Sequence, residues 1–271
     1  MRRRVLAALG LALLAGGTAA EASPRRFEEL RRFQAEAARQ GVAVDASAFY
    51  AISNQAIEKY DKTTGERLAS WTGPTDGPIV HLNGAVAHEG RLYCAHSNHP
   101  GVPMWSSIEI FDTGDLRHLE SRSFGIFEGS ATWVDRHDGA WWVGFAQYQG
   151  RGGVPGRGPA WTSVVAFDDS WQRLEAFVFP PAVIARFGDR SNSGGAWGDD
   201  GLLYATGADL PELYALRRPR AGSVLELVEI LTVTATGQGL AWDPARPDVL
   251  FTILKGARQV VESRLVLEPG A

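Results

Sequence analysis

One phrase recurs along the chain with variations, and it constrains the fold more than any single residue does. In each copy a small, Gly-containing stretch leads through a turn into an aromatic-led strand, and further strands follow. The copies begin at Asn83-Gly84-Ala85-Val86, Ser130-Ala131-Thr132-Trp133, Gly195-Ala196-Trp197 and Gly239-Leu240-Ala241-Trp242, with a degenerate copy at Ala48-Phe49-Tyr50-Ala51. Repetition on this scale indicates one supersecondary unit that is used several times.

Each copy divides into four short strand-like pieces separated by turn residues, which is typical of an all-β fold. The aromatic residues that mark the second strand lie 43 to 62 residues apart, and they are Tyr50, Tyr93, Trp142, Tyr204 and Phe251. A blade of four antiparallel strands takes about 40–50 residues. We therefore predict an all-β chain that forms a β-propeller of five blades, with a loop insertion in the 62-residue step. A β-sandwich and a six-bladed ring are the alternatives.

The sequence does not determine how the ring closes, because the last copy lacks an outer strand. In residues 24–40 the apolar side chains of Phe27, Leu30 and Phe33 recur at helical spacing, and Gly41 follows. This pattern predicts one N-terminal helix. Either the helix covers the gap, or the N-terminal segment supplies the missing strand.

Residues 1–22 have the pattern of a secretory signal peptide. Arg2, Arg3 and Arg4 precede a short apolar run, and small residues follow at two cleavage positions. The run is shorter than the about 20 residues that span a bilayer. We predict a signal peptide at 1–22, a helical segment at 23–41 and one propeller domain at 42–271. The protein would be secreted or periplasmic, exported by the ordinary or the twin-arginine route.

Charge and cysteine content exclude several kinds of partner. The formal net charge is −4, from 27 Lys and Arg against 31 Asp and Glu. This balance does not suggest the basic stripe of a nucleic-acid surface, and no later segment is apolar enough to span a membrane. Cys94 is the only cysteine, so the core has no internal disulfide. The remaining partners are a small molecule, a glycan or a protein.

The connectivity of a propeller sorts its loops into two faces. Loops between blades, and loops between strands two and three, open on one face; these are long and rich in polar residues here. The turns of the other face are short and built from ordinary turn residues. Functional residues concentrate on loops held by a rigid scaffold. We therefore predict a polar pocket at one mouth of the central channel.

Three histidines of that face form a candidate site for a divalent metal, with zinc as one option. Imidazole and carboxylate are suitable zinc ligands, and the ligands would come from different blades. The predicted imidazole ligands are His81, His96 and His99. The alternative is a calcium site of channel carbonyls with Asn83, Glu128, Asn192 and Asp209. In the simplest interpretation the histidines only form hydrogen bonds with loop backbone.

Acid–base chemistry at the mouth needs a carboxylate or an imidazole. The candidate catalytic residues are Asp209, His96 and Glu128. Cys94 precedes His96 by two positions and offers a Cys–His pair, although a buried cysteine more often acts as a small hydrophobe. The residues predicted to bind the ligand are Asn83, Ser191, Asn192, Glu212, Gln238, Trp105 and Trp161. A turn-capping role for Asp209 and blade packing for the tryptophans are the alternatives.

Two blade phrases carry a family resemblance: Gly239-Leu240-Ala241-Trp242-Asp243-Pro244, and Gly195-Ala196-Trp197-Gly198 with the Leu203-Tyr204-Ala205-Thr206-Gly207 strand after it. In these the chain resembles secreted five-bladed propellers of the plant-type glutamine cyclotransferase kind. The resemblance implies the five-bladed fold. The family's Tyr-Glu-Ser-Thr-Gly stretch, which holds its acid/base glutamate, aligns with Tyr93-Cys94-Ala95-His96-Ser97. The glutamate is absent, so no catalytic residue is carried over.

Two functions follow from this sequence. The first is a small-molecule or carbohydrate enzyme of the hydrolase or lyase type, possessing a polar pocket at one mouth and using a divalent metal such as calcium or zinc. The second is a non-catalytic propeller that uses the same face to bind a protein or a glycan. The fold alone does not choose between them.

Overall fold

A computed structural model describes residues 25–267 and shows five four-stranded antiparallel sheets, which confirms the predicted five-bladed propeller. The first two blades follow the chain order of their strands. After the N-terminal strand β1 (Arg25–Gln34), blade 1 contains β2 (Gly41–Val44), β3 (Ala48–Ser53), β4 (Ala56–Asp61) and β5 (Arg67–Thr72). Blade 2 contains β6 (Leu82–His88), β7 (Arg91–Ser97), β8 (Ser106–Asp112) and β9 (His118–Gly125).

The next two blades have the same order and include the helices. Blade 3 contains β10 (Ser130–His137), β11 (Ala140–Ala146), β12 (Ser163–Phe167) and β13 (Arg173–Val178). Blade 4 contains β14 (Gly194–Trp197), β15 (Leu203–Thr206), β16 (Glu212–Arg217) and β17 (Glu226–Thr232). A 3₁₀ helix (Pro159–Trp161), the helix α1 (Pro181–Phe187) and a second 3₁₀ helix (Gly188–Arg190) lie between Trp142 and Tyr204. They account for the long 62-residue step. None of the helices in residues 25–267 is long and apolar enough to cross a membrane.

Blade 5 is built from both ends of the described chain. Its inner three strands are β18 (Leu240–Asp243), β19 (Arg246–Leu254) and β20 (Gln259–Leu267), and its outer strand is β1 (Arg25–Gln34). The pairing of β1 with β20 is antiparallel and runs from Arg25 opposite Leu267 to Gln34 opposite Gln259. The ring is thus closed by the N-terminal segment, one of the two arrangements that the sequence left open.

The predicted N-terminal helix over residues 24–40 is wrong, because this segment is a strand from Arg25 to Gln34. Its register shifts between Glu29 and Arg31, so that Phe33 reaches the core while Leu30 stays 41% exposed. Phe33 packs on Phe49, at 4.6 Å between ring centroids. The segment forms a strand despite the helical spacing of its apolar residues, because β20 would otherwise have an unpaired edge. The signal peptide at 1–22 lies outside the described residues.

Arg25 fastens the outer strand of blade 5 to blade 4. Its Nε donates to Glu229 Oε2 at 2.8 Å, and its Nη1 donates to Asp200 Oδ2 at 2.9 Å and to the Tyr204 hydroxyl at 2.7 Å. The Tyr204 hydroxyl in turn donates to Asp200 at 2.7 Å. The closing strand is therefore held by a polar cluster as well as by its ladder.

The aromatic that opens strand two has a structural role that explains its recurrence. The Tyr50 hydroxyl donates to Asp45 Oδ2 at 2.6 Å, and the Trp142 Nε1 donates to the carbonyl of His137 at 3.2 Å. Each partner lies at the end of strand one or in the turn that follows it. The ring fills the space between blades while its polar atom fixes the preceding turn.

The glycines of the repeated phrase lie where the inner strands of neighbouring blades meet. A Cβ placed on Gly239 would lie 2.6 Å from Gly41 Cα, and one placed on Gly194 would lie 2.3 Å from the carbonyl oxygen of Gln238. The Gly239 N–H donates to the carbonyl of Gln40 at 2.9 Å. Only glycine permits this backbone contact without displacing one strand.

A pair of substitutions tests whether β1 is a strand rather than a helix. A helix over 24–40 would place Leu30 and Phe33 on the same buried face, whereas the strand buries Phe33 alone. We expect Phe33→Ala to lower the free energy of unfolding by about 3–5 kcal/mol. Leu30→Ala should change it by less than about 0.5–1 kcal/mol. Chemical denaturation measures both, and equal losses would contradict the closing strand.

A second pair tests the contact at the axis. Gly239→Ala introduces a methyl group against the backbone of blade 1 and should cost about 1–3 kcal/mol of stability. Gly256→Ala is the matched control, because a Cβ there would meet nothing within 4 Å. Thermal melts of both variants make the comparison. A Gly239→Ala variant as stable as the control would show that the blades are not held in close backbone contact.

Candidate functional site

The loops predicted to share one face surround a cavity of about 320 Å³, which we call the upper mouth. Its wall comes from connections between blades, from connections between strands two and three, and from the inner strands β6 and β10. The lining residues are Gln40, His81, Asn83, His99, Thr132, Tyr148, Gln149, Arg151, Asp189, Arg190, Ser193, Ala208, Gln238 and Lys255. All five blades contribute, so the cavity lies on the channel axis.

Two of the predicted metal-ligating histidines lie together in this wall. The rings of His81 and His99 are 5.2 Å apart, and Tyr148 packs on His99 at 4.7 Å between centroids. Burial, with the neighbouring imidazoles and Lys255, lowers the pKa of His81 to about 3. Burial and Arg151 also lower the pKa of His99. Both rings are therefore neutral at physiological pH. Burial raises the pKa of Tyr148 to about 12, so its hydroxyl keeps its proton.

The wall of the upper mouth is predominantly cationic. It contains three cationic side chains, Arg151, Arg190 and Lys255, against one carboxylate residue, Asp189. Arg190 Nε donates to Asp209 Oδ2 at 2.9 Å. Arg151 and Lys255 have no ion pair or hydrogen bond to another side chain within residues 25–267. Burial, Arg190 and Arg39 together lower the pKa of Lys255.

Of the residues predicted to bind a ligand, Asn83 and Gln238 line this cavity. Gln238 has a φ of 73°, a left-handed conformation that is uncommon outside glycine. Backbone in such a sparsely populated region is often found at functional sites. Asn83 immediately precedes the close-packed Gly84 on β6. Both amides are mostly buried, and they border the channel beside the histidines.

Ser191 and Asn192 lie in the connection between blades 3 and 4, but both residues are fully buried. Asn192 Oδ1 accepts the indole N–H of Trp133 at 2.6 Å, and its Nδ2 donates to the carbonyls of Gly194 and Thr206 at 2.8 and 2.9 Å. The Ser191 hydroxyl is hydrogen-bonded to Thr162. These groups hold the blade 3–blade 4 connection, and neither belongs to the cavity wall.

The carboxylates predicted for catalysis or binding are engaged with arginines. Asp209 pairs with Arg190 as described above. Glu128 pairs with Arg173, and Glu212 Oε1 accepts from Arg186 at 2.6 Å. None of the three carboxylates is part of the upper-mouth wall. The calcium set of Asn83, Glu128, Asn192 and Asp209 is therefore not brought together: only Asn83 lies in the wall.

His96, predicted both as a catalytic residue and as a metal ligand, is buried behind the upper mouth. Its Nε2 accepts the backbone N–H of Val80 at 3.0 Å, and its Nδ1 lies 2.8 Å from the Ser107 hydroxyl. Because Nε2 is an acceptor, the ring proton belongs on Nδ1. Both ring nitrogens are thus engaged within the protein, and His96 stands apart from the His81–His99 pair.

The hydrogen-bonded chain from His96 ends on a buried carboxylate, Glu109. The Ser107 hydroxyl donates to Glu109 Oε1 at 2.6 Å, and His118 Nε2 donates to Oε2 at 2.8 Å. Ser121 donates to the same oxygen. Burial opposes ionisation of Glu109, but these hydrogen bonds outweigh it and lower its pKa to about 2. The sequence analysis did not single out Glu109.

Among residues 25–267, no group of three or more His, Cys, Asp and Glu side chains is arranged to hold a metal. The metal interpretation remains a prediction. Trp105 packs edge-on against His96, at 5.3 Å, rather than lining the cavity. Trp161 is 59% exposed on its 3₁₀ helix, with Arg157 over its ring. Cys94 is fully buried, and burial raises the pKa of its thiol, as expected for a packing residue.

The sequence analysis missed the cationic wall. Arg151, Arg190 and Lys255 lie in loops that connectivity had assigned to this face, but the residue types chosen there were histidines, carboxylates and amides. Gln40 and Tyr148 were missed in the same way. An arginine or lysine in a loop usually carries no signal, and only the absence of a paired carboxylate among residues 25–267 sets Arg151 and Lys255 apart.

Comparisons with known proteins add the fold and nothing finer. No protein-family model matches the chain, and no curated protein matches it. The luciferin-regenerating enzyme is similar over 90% of this chain and 95% of its own, with a TM-score of 0.51 and 9% identity. Hydrazine synthase of Kuenenia stuttgartiensis is similar over 84% of both chains, with a TM-score of 0.50 and 13% identity. The WD40 repeats of RRP9 give a TM-score of 0.47 at 12% identity, over 83% of this chain and 79% of that chain. The likeness is one of fold alone.

The hydrogen bonds that Glu109 accepts from Ser107, His118 and Ser121 should make the stability of the protein depend on pH. Glu109→Gln removes the charged acceptor of the Ser107, His118 and Ser121 hydrogen bonds and should lower the free energy of unfolding by about 1–3 kcal/mol near pH 7. The folded pKa of Glu109 lies below its ordinary value of 4.5, at about 2. Its stabilising contribution is therefore fully present above pH 4.5 and is lost as the pH falls toward 2.

Urea denaturation at several pH values measures this difference. Glu120→Gln is the control, because Glu120 is exposed and lies on β9, the strand paired with the one that carries Glu109. A gap between wild type and Glu109→Gln that is as wide at pH 2 as at pH 7 would contradict the charge-based account.

Proposed function

We propose that the upper mouth binds a small anionic molecule, one that carries a carboxylate or a phosphate group. The observation that carries the proposal is the presence of Arg151 and Lys255 in the wall of an axial cavity without an acidic partner among residues 25–267. A cation that borders a cavity without a counter-charge attracts an anion, and a bound anion forms charge-assisted hydrogen bonds with it.

The electrostatics of the wall support the anionic class of ligand. The pKa of Lys255 is lowered by burial and by the cations Arg190 and Arg39. An anion placed among these groups would raise that pKa again, and the same interaction would stabilise the bound anion. Arginine adds planar geometry that matches carboxylate and phosphate oxygens with two hydrogen bonds. Amide groups of Asn83 and Gln238 are available to orient the rest of the ligand.

The size of the cavity suits a small ligand. Its volume of about 320 Å³ is at the lower end of the about 300–1,000 Å³ range of small-molecule pockets. Five rigid sheets hold the loops around it, and a preformed site loses little conformational entropy on binding. A small organic acid or phosphate ester fits this description better than an extended glycan.

The predicted hydrolase or lyase named Asp209, His96 and Glu128 as catalytic residues. We propose instead that His81, which borders the cavity, would transfer the proton. His81 is neutral in the free protein and therefore able to accept a proton. An anion bound beside it would raise its pKa and make it a stronger base. Export, predicted from residues 1–22, remains part of the proposed function.

A protein partner is the second candidate, favoured by apolar side chains around the same face. Phe127 is 79% exposed in the loop before blade 3, and Trp161 and Val102 are exposed in neighbouring loops. Isolated exposed hydrophobes are common. Their position on the loops that surround the upper mouth is the reason to retain this candidate.

Neutral replacement of the cations tests the proposal. We expect wild-type protein to bind inorganic phosphate or citrate in calorimetric titrations. Lys255→Gln and Arg151→Gln should each weaken binding by about tenfold or more, since a charge-assisted hydrogen bond contributes about 1.5–3 kcal/mol. Affinity should also fall as the pH is raised toward the lowered pKa of Lys255, because the cation is then lost.

Arg220→Gln is the matched control. It removes one positive charge from an exposed arginine in a loop of the opposite face and should leave the affinity unchanged. The anionic site would be contradicted if wild type bound neither phosphate nor citrate. It would also be contradicted if all three variants bound the anion equally well. Capture of a protein that depends on Phe127 and Trp161 but not on Lys255 would favour the second candidate.

A further inference from the structure

The opposite end of the channel holds a second cavity, of about 260 Å³, which we call the lower mouth. The inner strand of every blade contributes an aliphatic residue to its wall. One from each blade, in chain order, is Val44, Ala85, Val134, Ala196 and Leu240. The short turns of this face gave no sign of a site, because the wall is built by strands rather than by loops.

Two carboxylate residues belong to this wall: Asp199, which lies in an exposed turn, and Asp135, which stands among the aliphatic side chains. Its Oδ2 accepts the backbone N–H of Trp197 at 2.7 Å, and its Oδ1 accepts the backbone N–H of Arg136 at 2.8 Å. The first of these bonds joins the inner strands of blades 3 and 4. Each oxygen accepts only one such bond and keeps further acceptor capacity.

Asp135 has no cationic partner within residues 25–267, although an arginine follows it in sequence. The guanidinium of Arg136 is directed elsewhere: its Nη2 lies 2.8 Å from Asp169 Oδ1, and its Cζ lies 4.8 Å from the centroid of the Trp141 ring. The histidines of this wall, His88 and His137, are each within 4 Å of the carboxylate that follows them in sequence.

The environment of Asp135 penalises its charge. Burial raises the pKa of Asp135 to about 7, against the lowering effect of its two backbone hydrogen bonds. The group therefore either takes up a proton in the folded protein or finds a cation from outside. The same pattern with opposite sign occurs at the upper mouth, where Arg151 and Lys255 border a cavity without an anionic partner.

We propose that the lower mouth binds a small organic cation, with its ammonium group on Asp135 and its hydrocarbon portion against the aliphatic wall. An ammonium supplies both the missing charge and the N–H donors that the carboxylate oxygens can still accept. The aliphatic side chains, together with Pro244 and Trp242, favour an apolar body. An anion would meet the charge of Asp135, and a hydrated metal ion prefers several oxygen ligands to an aliphatic wall.

Binding of an ammonium group is linked to a proton. The cation stabilises ionised Asp135, so below about pH 7 its binding displaces the proton that the carboxylate holds. The number of protons released should therefore decrease as the pH is raised. A neutral ligand that merely fills the cavity releases none.

The experiment uses four probes and calcium. Butylamine and benzylamine are titrated into the protein in two buffers of different ionisation enthalpy, which reports proton release. Butanol and benzyl alcohol are the neutral counterparts of the same shape. We expect the amines to bind with proton release at pH 6, and the alcohols to bind at least about tenfold more weakly.

Asp135→Asn should abolish the preference for amines, and Asp76→Asn, at an exposed position away from the channel, should retain it. Thermal melts establish whether Asp135→Asn folds. The proton release by wild type tests the proposal even if this variant does not fold. Absence of amine binding, equal binding of amines and alcohols, retention of the preference in Asp135→Asn, or binding of calcium alone would each overturn the proposal.

Discussion

The close approach of the five inner strands around the axis is the contact on which the rest of this structure depends. Gly239 meets the backbone of Gly41, and Gly194 meets the backbone of Gln238, at distances that leave no room for a Cβ. This contact fixes the spacing of the blades and hence the width of the channel. Both mouths are bounded by residues a few positions from these glycines. A wider ring would separate the side chains that now share each cavity.

The repeat predicted the number and order of the blades because each copy satisfies the same local requirements. A glycine allows contact at the axis, a turn follows, and an aromatic such as Tyr50 or Trp142 secures that turn. The closing strand has no such phrase. Phe27, Leu30 and Phe33 satisfied a helical period, and the true pattern was hidden by the register shift after Glu29. Only the unpaired edge of β20 decides between helix and strand, and that edge exists in three dimensions alone.

The location of the candidate site could be predicted from the sequence, but the charge and chemical character of its wall could not. Connectivity assigned the right loops to one mouth, and His81, His99, Asn83 and Gln238 do lie in its wall. The predicted carboxylates do not line the wall, and each is paired with an arginine that the sequence does not reveal, as Asp209 is with Arg190. His96 was misplaced because β7 points it toward Ser107 and Glu109, on the side of the strand away from the channel. Charge pairing across blades is a property of the closed ring.

The charges at the two mouths have a common physical origin. Around a narrow axis, side chains from five blades meet, and some of the charged ones do not reach a partner on a neighbouring element. Lys255 and Asp135 are both left without counter-charges in this way, and the pKa of each shifts toward its neutral form. Residues slightly farther out, such as Glu128 with Arg173, find partners on adjacent blades. In a ring of this size, an ionisable group that borders the axis therefore has to be satisfied by water, a proton or a ligand, which makes the axis the natural place for binding.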